Sequence, residues 1–214
     1  MKAAFFDLDH TILSISSGQI MFESSRRHGI ISRRQAYFAL VIVVLYRAGL
    51  ISPDRAINRW MSWYAGMSVD EIGPIAAEWA EELKRYVRED ARREVAMHRE
   101  SGVRTVVLSA STTFFCETIR DELGMDDVIC SEVEVADGLL TGALKGRYCY
   151  GPEKLNRAKA YCSDRGIDLA GSWYYADSIA DVPVMEAVGR PVCVTPDPKL
   201  RREAQKRGWE IRMW

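Results

Sequence analysis

The sequence carries no excess of charge of either sign and has few histidines. Its 214 residues include 29 lysines and arginines and 30 aspartates and glutamates, which gives a formal net charge of −1. A chain without a dominant charge produces no overall field that would attract nucleic acid or an anionic membrane surface. We therefore expect no nucleic-acid partner. The three histidines are isolated from one another, which does not favour a histidine-based metal site.

Paired cysteines are also lacking. The five cysteines are an odd number and form no Cys-x-x-Cys motif; they are Cys116, Cys130, Cys149, Cys162 and Cys193. This pattern argues against a disulfide framework or a zinc site and is typical of a reducing compartment. No signal-peptide pattern precedes the first apolar strand. These features predict a cytoplasmic protein.

No apolar run is long enough to cross a membrane. The most apolar segment, AYFALVIVVLY at residues 36–46, is too short to span a bilayer as a helix, so we expect no stable membrane insertion. It has no clear polar face, which favours a buried or interface helix that another surface covers. Contact with a membrane surface, or a lid over an apolar substrate, remains open. A homodimer through this helix is a further hypothesis.

The most informative motif present is an aspartate pair directly behind a short apolar run. Asp7 and Asp9 follow Ala3–Phe6, which predicts a buried strand with both carboxylates on one face. Two like charges so close are costly unless a cation or a shared proton offsets them. A Mg²⁺ ion at the carboxyl end of a central parallel strand meets that requirement. The alternative is that both aspartates only cap a turn or the next helix.

The order of predicted elements indicates the architecture. Residues 14–100 are almost wholly helical in pattern, whereas strands and helices alternate from residue 103 onward, which predicts a parallel sheet with right-handed crossovers. We expect an α/β protein with a Rossmann-like parallel sheet core, residues 1–15 and 85–214, and an inserted α-helical cap, residues 16–84. The predicted strands are 3–6, 103–108, 127–135, 139–142, 172–176, 191–195 and 209–212, and the helices after the cap are 112–123, 153–165, 179–188 and 198–207.

Four polar clusters follow predicted strands or open predicted helices. They are Asp7 with Asp9 and Thr11, Ser109-Ala110-Ser111, Lys154, and Asp177 with Asp181. Any one of them could be a helix cap or a solvated side chain. Together, at one edge of one sheet, they predict phosphoryl transfer.

The chemistry of phosphoryl transfer gives each cluster a role. A carboxylate nucleophile must approach an anionic phosphate, so Mg²⁺ and the ammonium of Lys154 would supply positive charge. The hydroxyl and backbone N–H groups at Ser109 and Ala110 suit phosphate oxygens, and Thr11 is placed with them. Asp9 could protonate the leaving alkoxide and later activate water.

The remaining carboxylates complete the predicted metal site. Asp177 and Asp181, at i and i+4, would share one face of a helix start and could complete an oxygen-rich shell around Mg²⁺. The expected metal ligands are therefore Asp7, Asp9, Asp177 and Asp181.

Several segments in order resemble the haloacid dehalogenase superfamily of Mg²⁺-dependent aspartyl phosphatases, and within it the phosphoserine-phosphatase-like branch. They are FFDLDHT (5–11), VVLSAS (106–111), DGLLTG (137–142), YCYGPEK (148–154) and YYADSIADVPVMEAVG (174–189). The resemblance implies that Asp7 forms a phosphoaspartate and that Asp9 is the acid/base. It also implies that Ser109 and Lys154 bind phosphate. Asp177 would hold Mg²⁺ with Asp7 and the Asp9 backbone carbonyl, and Asp181 would support the metal shell and Lys154.

Two departures from that branch affect the expected substrate. At the position of Ser16, phosphoserine phosphatases typically carry a glutamate that binds the substrate amine. Ala180 replaces an asparagine that is usual in the last motif of that branch. Neither change removes the nucleophile or a carboxylate ligand. The stretch from Thr195 to Trp209 resembles a subgroup whose relatives include histidinol-phosphate phosphatases.

These observations predict a phosphomonoesterase for a small phosphorylated metabolite similar to phosphoserine or histidinol phosphate. The alternatives are a phosphatase for a lipid-linked phosphate held under the apolar cap helix, and a non-catalytic phosphate-binding regulatory module. Cap residues that could contact a substrate, although each is more typical of a solvated or packing residue, are Glu23, Arg26, Tyr46, Arg47 and Arg59.

Overall fold

The computed structural model describes the backbone of residues 1–214 and every side chain except that of Arg47. A six-stranded sheet has the strand order β3-β2-β1-β6-β7-β8, with every neighbouring pair parallel, and β4 and β5 form a separate antiparallel hairpin. The predicted α/β architecture with a parallel sheet is confirmed. The strands are β1 Ala3–Phe6, β2 Arg104–Thr112, β3 Asp127–Ser131, β4 Val133–Ala136, β5 Leu139–Leu144, β6 Trp173–Ala176, β7 Arg190–Val194 and β8 Glu210–Arg212.

Strand β1 lies in the middle of the sheet and is completely buried. Its side chains alternate between two hydrophobic clusters, with Ala4 and Phe6 on one face of the sheet and Ala3 and Phe5 on the other. The Phe6 ring stacks on Tyr175 of β6, with the centroids 4.4 Å apart. A strand buried on both faces is typical of parallel sheets covered by helices. The end of β1 is therefore a firmly held position for the residues that follow it.

The described part of the chain contains nine α-helices. Three cap helices begin after a capping serine: the side chains of Ser32, Ser52 and Ser68 each accept a hydrogen bond from a backbone N–H three residues later. The helices are α1 Ser17–Arg27, α2 Arg33–Arg47, α3 Pro53–Met61, α4 Val69–Lys84, α5 Glu89–Glu100, α6 Thr113–Leu123, α7 Pro152–Arg165, α8 Val182–Met185 and α9 Pro198–Arg207.

Helices α1 to α4 form an insertion after β1 that packs against α6 and the β4–β5 hairpin. Trp79 of α4 stacks on Phe115 of α6, with the centroids 5.7 Å apart. The β4–β5 hairpin also contacts the insertion, because the Gly66 N–H donates to the Leu140 carbonyl at 2.8 Å. Gly142 has φ +80°, and a Cβ there would lie 2.7 Å from the Cβ of Ala65. The insertion is thus a helical cap that shares a hydrophobic core with the sheet.

Helix α2 is buried on one side only. Tyr37, Leu40 and Val44 are 68%, 64% and 65% exposed, whereas Ala39 is buried. The prediction was a buried or interface helix. The chain itself covers only one side of α2, and an interface on the outward face stays a prediction. Among the described residues, no helix combines the length and the apolar character needed to cross a membrane.

Other differences between the predicted and the observed elements occur where contacts between distant segments override the local sequence pattern. The expected strand 127–135 is two strands, one in the main sheet and one in the hairpin. The expected helix 179–188 is a short 3₁₀ turn followed by the four-residue α8. The helical pattern predicted for residues 14–100 is interrupted between α4 and α5, where Val87 pairs with Leu13. Strand β2 extends past its predicted end to Thr112.

Candidate functional site

The sequence-predicted site residues lie at the carboxyl edge of the central strands. Asp7 follows β1, Ser109 lies in the last part of β2, Asp177 follows β6, and Lys154 lies in the first turn of α7. The Asp7 backbone N–H donates to the Tyr175 carbonyl at 2.9 Å, which continues the pairing of β1 with β6 by one residue. The fold therefore brings residues from four distant segments to one edge, as the sequence predicts.

Lys154 is the buried cation at the centre of this group. Its ammonium donates to Asp181 Oδ1 at 2.7 Å, to Asp7 Oδ1 at 2.9 Å and to the Tyr174 hydroxyl at 3.2 Å, and its side chain is 3% exposed. Burial alone would lower the pKa of Lys154, but the carboxylates of Asp181 and Asp7 outweigh it and raise the pKa well above its ordinary value. Lys154 is therefore charged at every physiological pH.

Tyr174 belongs to the site, although the sequence reasoning gave it no role. Its hydroxyl donates to Asp181 Oδ1 at 2.8 Å and accepts from Lys154. Its ring is completely buried in β6, and the next residue, Tyr175, faces the opposite side of the sheet and donates to Glu94. A signal was present, because a tyrosine within a buried strand requires a partner for its hydroxyl.

Three carboxylates come together beside Lys154. Asp7, Asp177 and Asp181 each offer one oxygen, and these oxygens all lie within 4.8 Å of one another. Burial raises the pKa of Asp177 to about 8, and the charges of Asp7 and Asp181 act in the same direction. One ammonium does not balance three carboxylates. This set of oxygen donors with excess negative charge fits a hard divalent cation such as Mg²⁺.

The Asp9 carboxylate lies outside that group, against the start of α1. Its Oδ1 accepts from the Ser17 backbone N–H at 2.8 Å and its Oδ2 from the Ser16 hydroxyl at 3.2 Å. The chain turns here, since His10 has φ +57°. Burial raises the pKa of Asp9, and the bond from Ser17 opposes this. The expectation that the side chains of the aspartate pair jointly hold a cation does not match this geometry; a role for the Asp9 backbone carbonyl stays a prediction.

The predicted phosphate-binding residues flank Asp7. Thr11 is buried, and its hydroxyl has no hydrogen-bond partner among the described residues. The Ser109 hydroxyl accepts from the Ser111 backbone N–H at 3.2 Å. The Ala110 carbonyl accepts from the Ser131 hydroxyl at 2.9 Å, which fixes the end of β2. An unpartnered buried hydroxyl is uncommon and is available to an oxygen-rich ligand.

A cavity of about 550 Å³ opens between the cap and the sheet edge. Asp9 and Ala110 are at its sheet side, and α1, α2 and α3 supply its cap side. Tyr46 is the one described member of the proposed cap contacts that lines it; the side chain of Arg47 lies outside the described residues. A second cavity of about 600 Å³, with Trp173 and Arg190 in its wall, lies at the opposite edge of the sheet and contains none of the predicted site residues.

Two tyrosines after the hairpin form one wall of the cap-side cavity. The rings of Tyr148 and Tyr150 stack with an interplanar angle of 1°. The Tyr150 hydroxyl is 2.7 Å from that of Tyr46 on α2, so a hydrogen bond joins the cap to the segment just before Lys154. Neither Tyr148 nor Tyr150 was predicted as a site residue, because their position depends on how the hairpin folds.

Comparison with known proteins identifies a matching family model and several relatives. A family model described as haloacid dehalogenase-like hydrolase matches residues 4–186. An inhibition of morphological differentiation protein from Streptomyces azureus is 34% identical, over 98% of this chain and 77% of that protein. A phosphoserine phosphatase from Mycobacterium tuberculosis is 30% identical, over 98% and 70%. A histidinol-phosphatase from Neisseria meningitidis is 25% identical, over 97% and 96%.

Solved structures support the same fold. A Bordetella pertussis protein of unknown function has a TM-score of 0.91 and 28% identity, over 98% of this chain and 97% of that chain. A phosphoserine phosphatase solved as an analogue of its phosphoaspartyl intermediate has a TM-score of 0.73 and 17% identity, over 98% and 91%. The family match, the relatives and the parallel sheet with its helical cap agree, and the chain belongs to the haloacid dehalogenase-like hydrolase family.

Proposed function

We propose that the chain is a Mg²⁺-dependent phosphomonoesterase that forms a phosphoaspartate on Asp7. The observation that carries the proposal is the contact between the buried Asp7 carboxylate and Lys154 at 2.9 Å, beside the carboxylates of Asp177 and Asp181. A carboxylate can attack an anionic phosphate only where positive charge offsets the repulsion. The relatives named phosphoserine phosphatase and histidinol-phosphatase support this chemistry.

In the first half of the reaction, the Asp7 oxygen that does not contact Lys154 attacks phosphorus. The bond between phosphorus and the ester oxygen breaks, its electron pair stays on the leaving alkoxide, and Asp9 donates a proton to that alkoxide. The raised pKa of Asp9, caused by burial, favours the protonated form that this step needs. Lys154, Ser109, Thr11 and the backbone at Ala110 bind the phosphate oxygens.

In the second half, Asp9 accepts a proton from a water molecule that attacks the phosphorus of the phosphoaspartate. The bond between Asp7 and phosphorus breaks, and inorganic phosphate and a free Asp7 carboxylate result. The cap, with proposed boundaries at residues 16–84 against a core of 1–15 and 85–214, would limit the entry of water to this step. The hydrogen bond between Tyr46 and Tyr150 would hold the closed arrangement.

The metal site proposed here consists of Asp7, Asp177 and the Asp9 backbone carbonyl, with Asp181 in support. Mg²⁺ bound there would neutralise charge on the phosphate and leave Lys154 to balance the rest. The three-carboxylate arrangement supports this assignment. We also propose that the enzyme works in the cytoplasm, because all five cysteines are free thiols.

The experiment that tests the proposal measures inorganic phosphate release from a panel of phosphorylated metabolites with and without Mg²⁺. The panel includes phosphoserine, histidinol phosphate and a lysophosphatidate. We expect at least one substrate to be hydrolysed in a reaction that excess chelator stops and added Mg²⁺ restores. A folded protein that binds phosphate compounds and Mg²⁺ but hydrolyses none would favour the regulatory-module alternative instead.

The exposed apolar face of α2 supports a homodimer through the cap as a further proposal. We expect light scattering of the wild-type protein to give twice the mass calculated for one chain. The Val44→Asp variant should give the mass of one chain, because a buried unpaired charge at the interface would oppose association. Val135→Asp, at an exposed valine of the hairpin, is the matched control and should leave the mass unchanged. A wild-type protein that is monomeric at all concentrations would contradict the proposal.

A further inference from the structure

The cavity beside the predicted catalytic aspartates has two chemically different ends. At the sheet side, its wall is polar and comes from the turn after β1 and the end of β2, with Asp9, Ser16 and Ser111 among the lining residues. At the cap side, the wall is aliphatic and aromatic and includes Ile57 and Trp60 of α3. A ligand with its phosphate at Asp7 would therefore place the rest of its structure among apolar side chains.

The described residues that line the cavity include no basic side chain and a single carboxylate, so they offer little to balance a charged organic group. Asp9 is the one charged residue among those that line it, and both of its carboxylate oxygens already accept hydrogen bonds from Ser16 and Ser17. A phosphorylated amino acid would bring an ammonium and a carboxylate into this space. Burying such charges without partners is costly.

Two of the three tyrosine hydroxyls that line the cavity are satisfied within the protein. The Tyr46 and Tyr150 hydroxyls bond to each other at 2.7 Å, so what these side chains leave for a ligand is largely apolar surface. Phe22 and Trp60 add a second aromatic pair, with ring centroids 5.4 Å apart. Both residues line the cavity.

The opening of the cavity is apolar as well. Leu40 and Val43 of α2 line it and are 64% and 40% exposed, so they border both the cavity and solvent. A polar substrate gains nothing from such a rim, whereas a substrate with an apolar tail buries surface on the way in and along the wall. An alkyl chain longer than the cavity could extend into solvent between Leu40 and Val43.

From these observations we infer that the substrate is the phosphomonoester of an apolar alcohol, with the alkyl or aryl group held between α2 and α3. The inference rests on the proposed function for the position of the phosphate at Asp7. It deepens that function by naming the chemical class of the organic group. Phosphoserine, with two charges on its organic part, lies outside that class.

A homologous series of substrates tests the inference directly. We would measure kcat/KM for Mg²⁺-dependent hydrolysis of ethyl, butyl, hexyl and octyl phosphate below their micelle concentrations, with phenethyl phosphate to distinguish a ring from a chain and phosphoserine as the polar comparison. We expect kcat/KM to rise by up to about fourfold for each added methylene until the cavity is filled. Phosphoserine should be slower than butyl phosphate. A flat series, or phosphoserine as the fastest substrate, would overturn the inference.

A variant that fills the apolar end of the cavity tests whether that end causes the dependence of kcat/KM on chain length. Ala39 of α2 is buried and lines the cavity, so Ala39→Leu takes volume from the apolar end. We expect the ratio of octyl to ethyl phosphate turnover to fall at least tenfold in this variant. Val44→Leu, on the exposed face of the same helix, should leave the ratio unchanged. An unchanged ratio in a folded Ala39→Leu protein would contradict the assignment of the tail to this cavity.

A binding measurement separates failure of the inference from failure of the proposed function. Non-hydrolysable alkyl phosphonates of the same chain lengths would be titrated into the Mg²⁺-loaded protein by calorimetry. Affinity that rises with chain length, with a negative heat-capacity change, supports the apolar site even if no phosphate ester is hydrolysed. Hydrolysis without any dependence on chain length in either measurement would keep the proposed function and overturn the inference.

Discussion

Asp7→Asn is expected to lower Mg²⁺-dependent phosphate release by about four orders of magnitude or more while leaving the fold intact. The amide has nearly the shape of the carboxylate, but it is a poor nucleophile and cannot form the phosphoaspartate. Asp7 is buried at the end of the fully buried strand β1, so the replacement changes little in the packing. Phosphate release at saturating substrate, with circular dichroism to check the fold, measures both parts of the expectation.

The matched control for this variant is Asp164→Asn, an exposed aspartate on α7 that none of the site contacts involves. It should retain wild-type turnover. Trapping of radioactive phosphate on the protein after an acid quench adds a second readout, since the wild type should carry label and Asp7→Asn should not. Turnover in Asp7→Asn within tenfold of the wild type would remove Asp7 from the role of nucleophile.

Lys154→Met is expected to lower both activity and stability. The ammonium contacts Asp181 at 2.7 Å and Asp7 at 2.9 Å, and its loss leaves these buried carboxylates without their cation. Breaking a buried ion pair on one side costs about 3–5 kcal/mol, so we expect the free energy of unfolding of the metal-free protein to fall by that order. Loss of a charge that stabilises the transition state should lower kcat by about 10²–10³-fold.

Urea unfolding and phosphate release measure the two effects separately. Lys159→Met, which removes an exposed lysine from the same helix, is the control and should change neither by much. Added Mg²⁺ should recover part of the lost stability in Lys154→Met, because a cation among the same carboxylates offsets their repulsion. If stability and kcat both stay near the wild type, Lys154 is not the counter-ion that the contacts indicate.

The sequence was sufficient to predict the edge of the sheet at which the candidate site residues come together. Asp7, Ser109 and Asp177 each follow an apolar run, and parallel strands end at a common edge, so their convergence could be inferred before any contact was known. Lys154 was also assigned correctly to the start of a helix. These features depend on local pattern and chain order, which one sequence contains.

Features that depend on contacts between distant residues could not be predicted from the sequence in this way. The sequence could not assign Tyr174 to the carboxylates, because the two sides of β6 carry similar tyrosines and only packing distinguishes them. The direction of the Asp9 carboxylate depends on the turn at His10. The sequence could not predict which side of α2 is exposed either, because an entirely apolar helix gives no pattern that says which side its neighbours cover.

The central place of β1 in the sheet affects how the protein is made. This strand precedes both of its neighbours in the sheet, which begin at Arg104 and Trp173. Such long separations slow folding, and an unpaired apolar strand invites association with other chains. The nascent chain therefore carries AAFF with at least one open edge until β6 has been synthesised. Chaperone binding to this short segment would protect the chain during that interval.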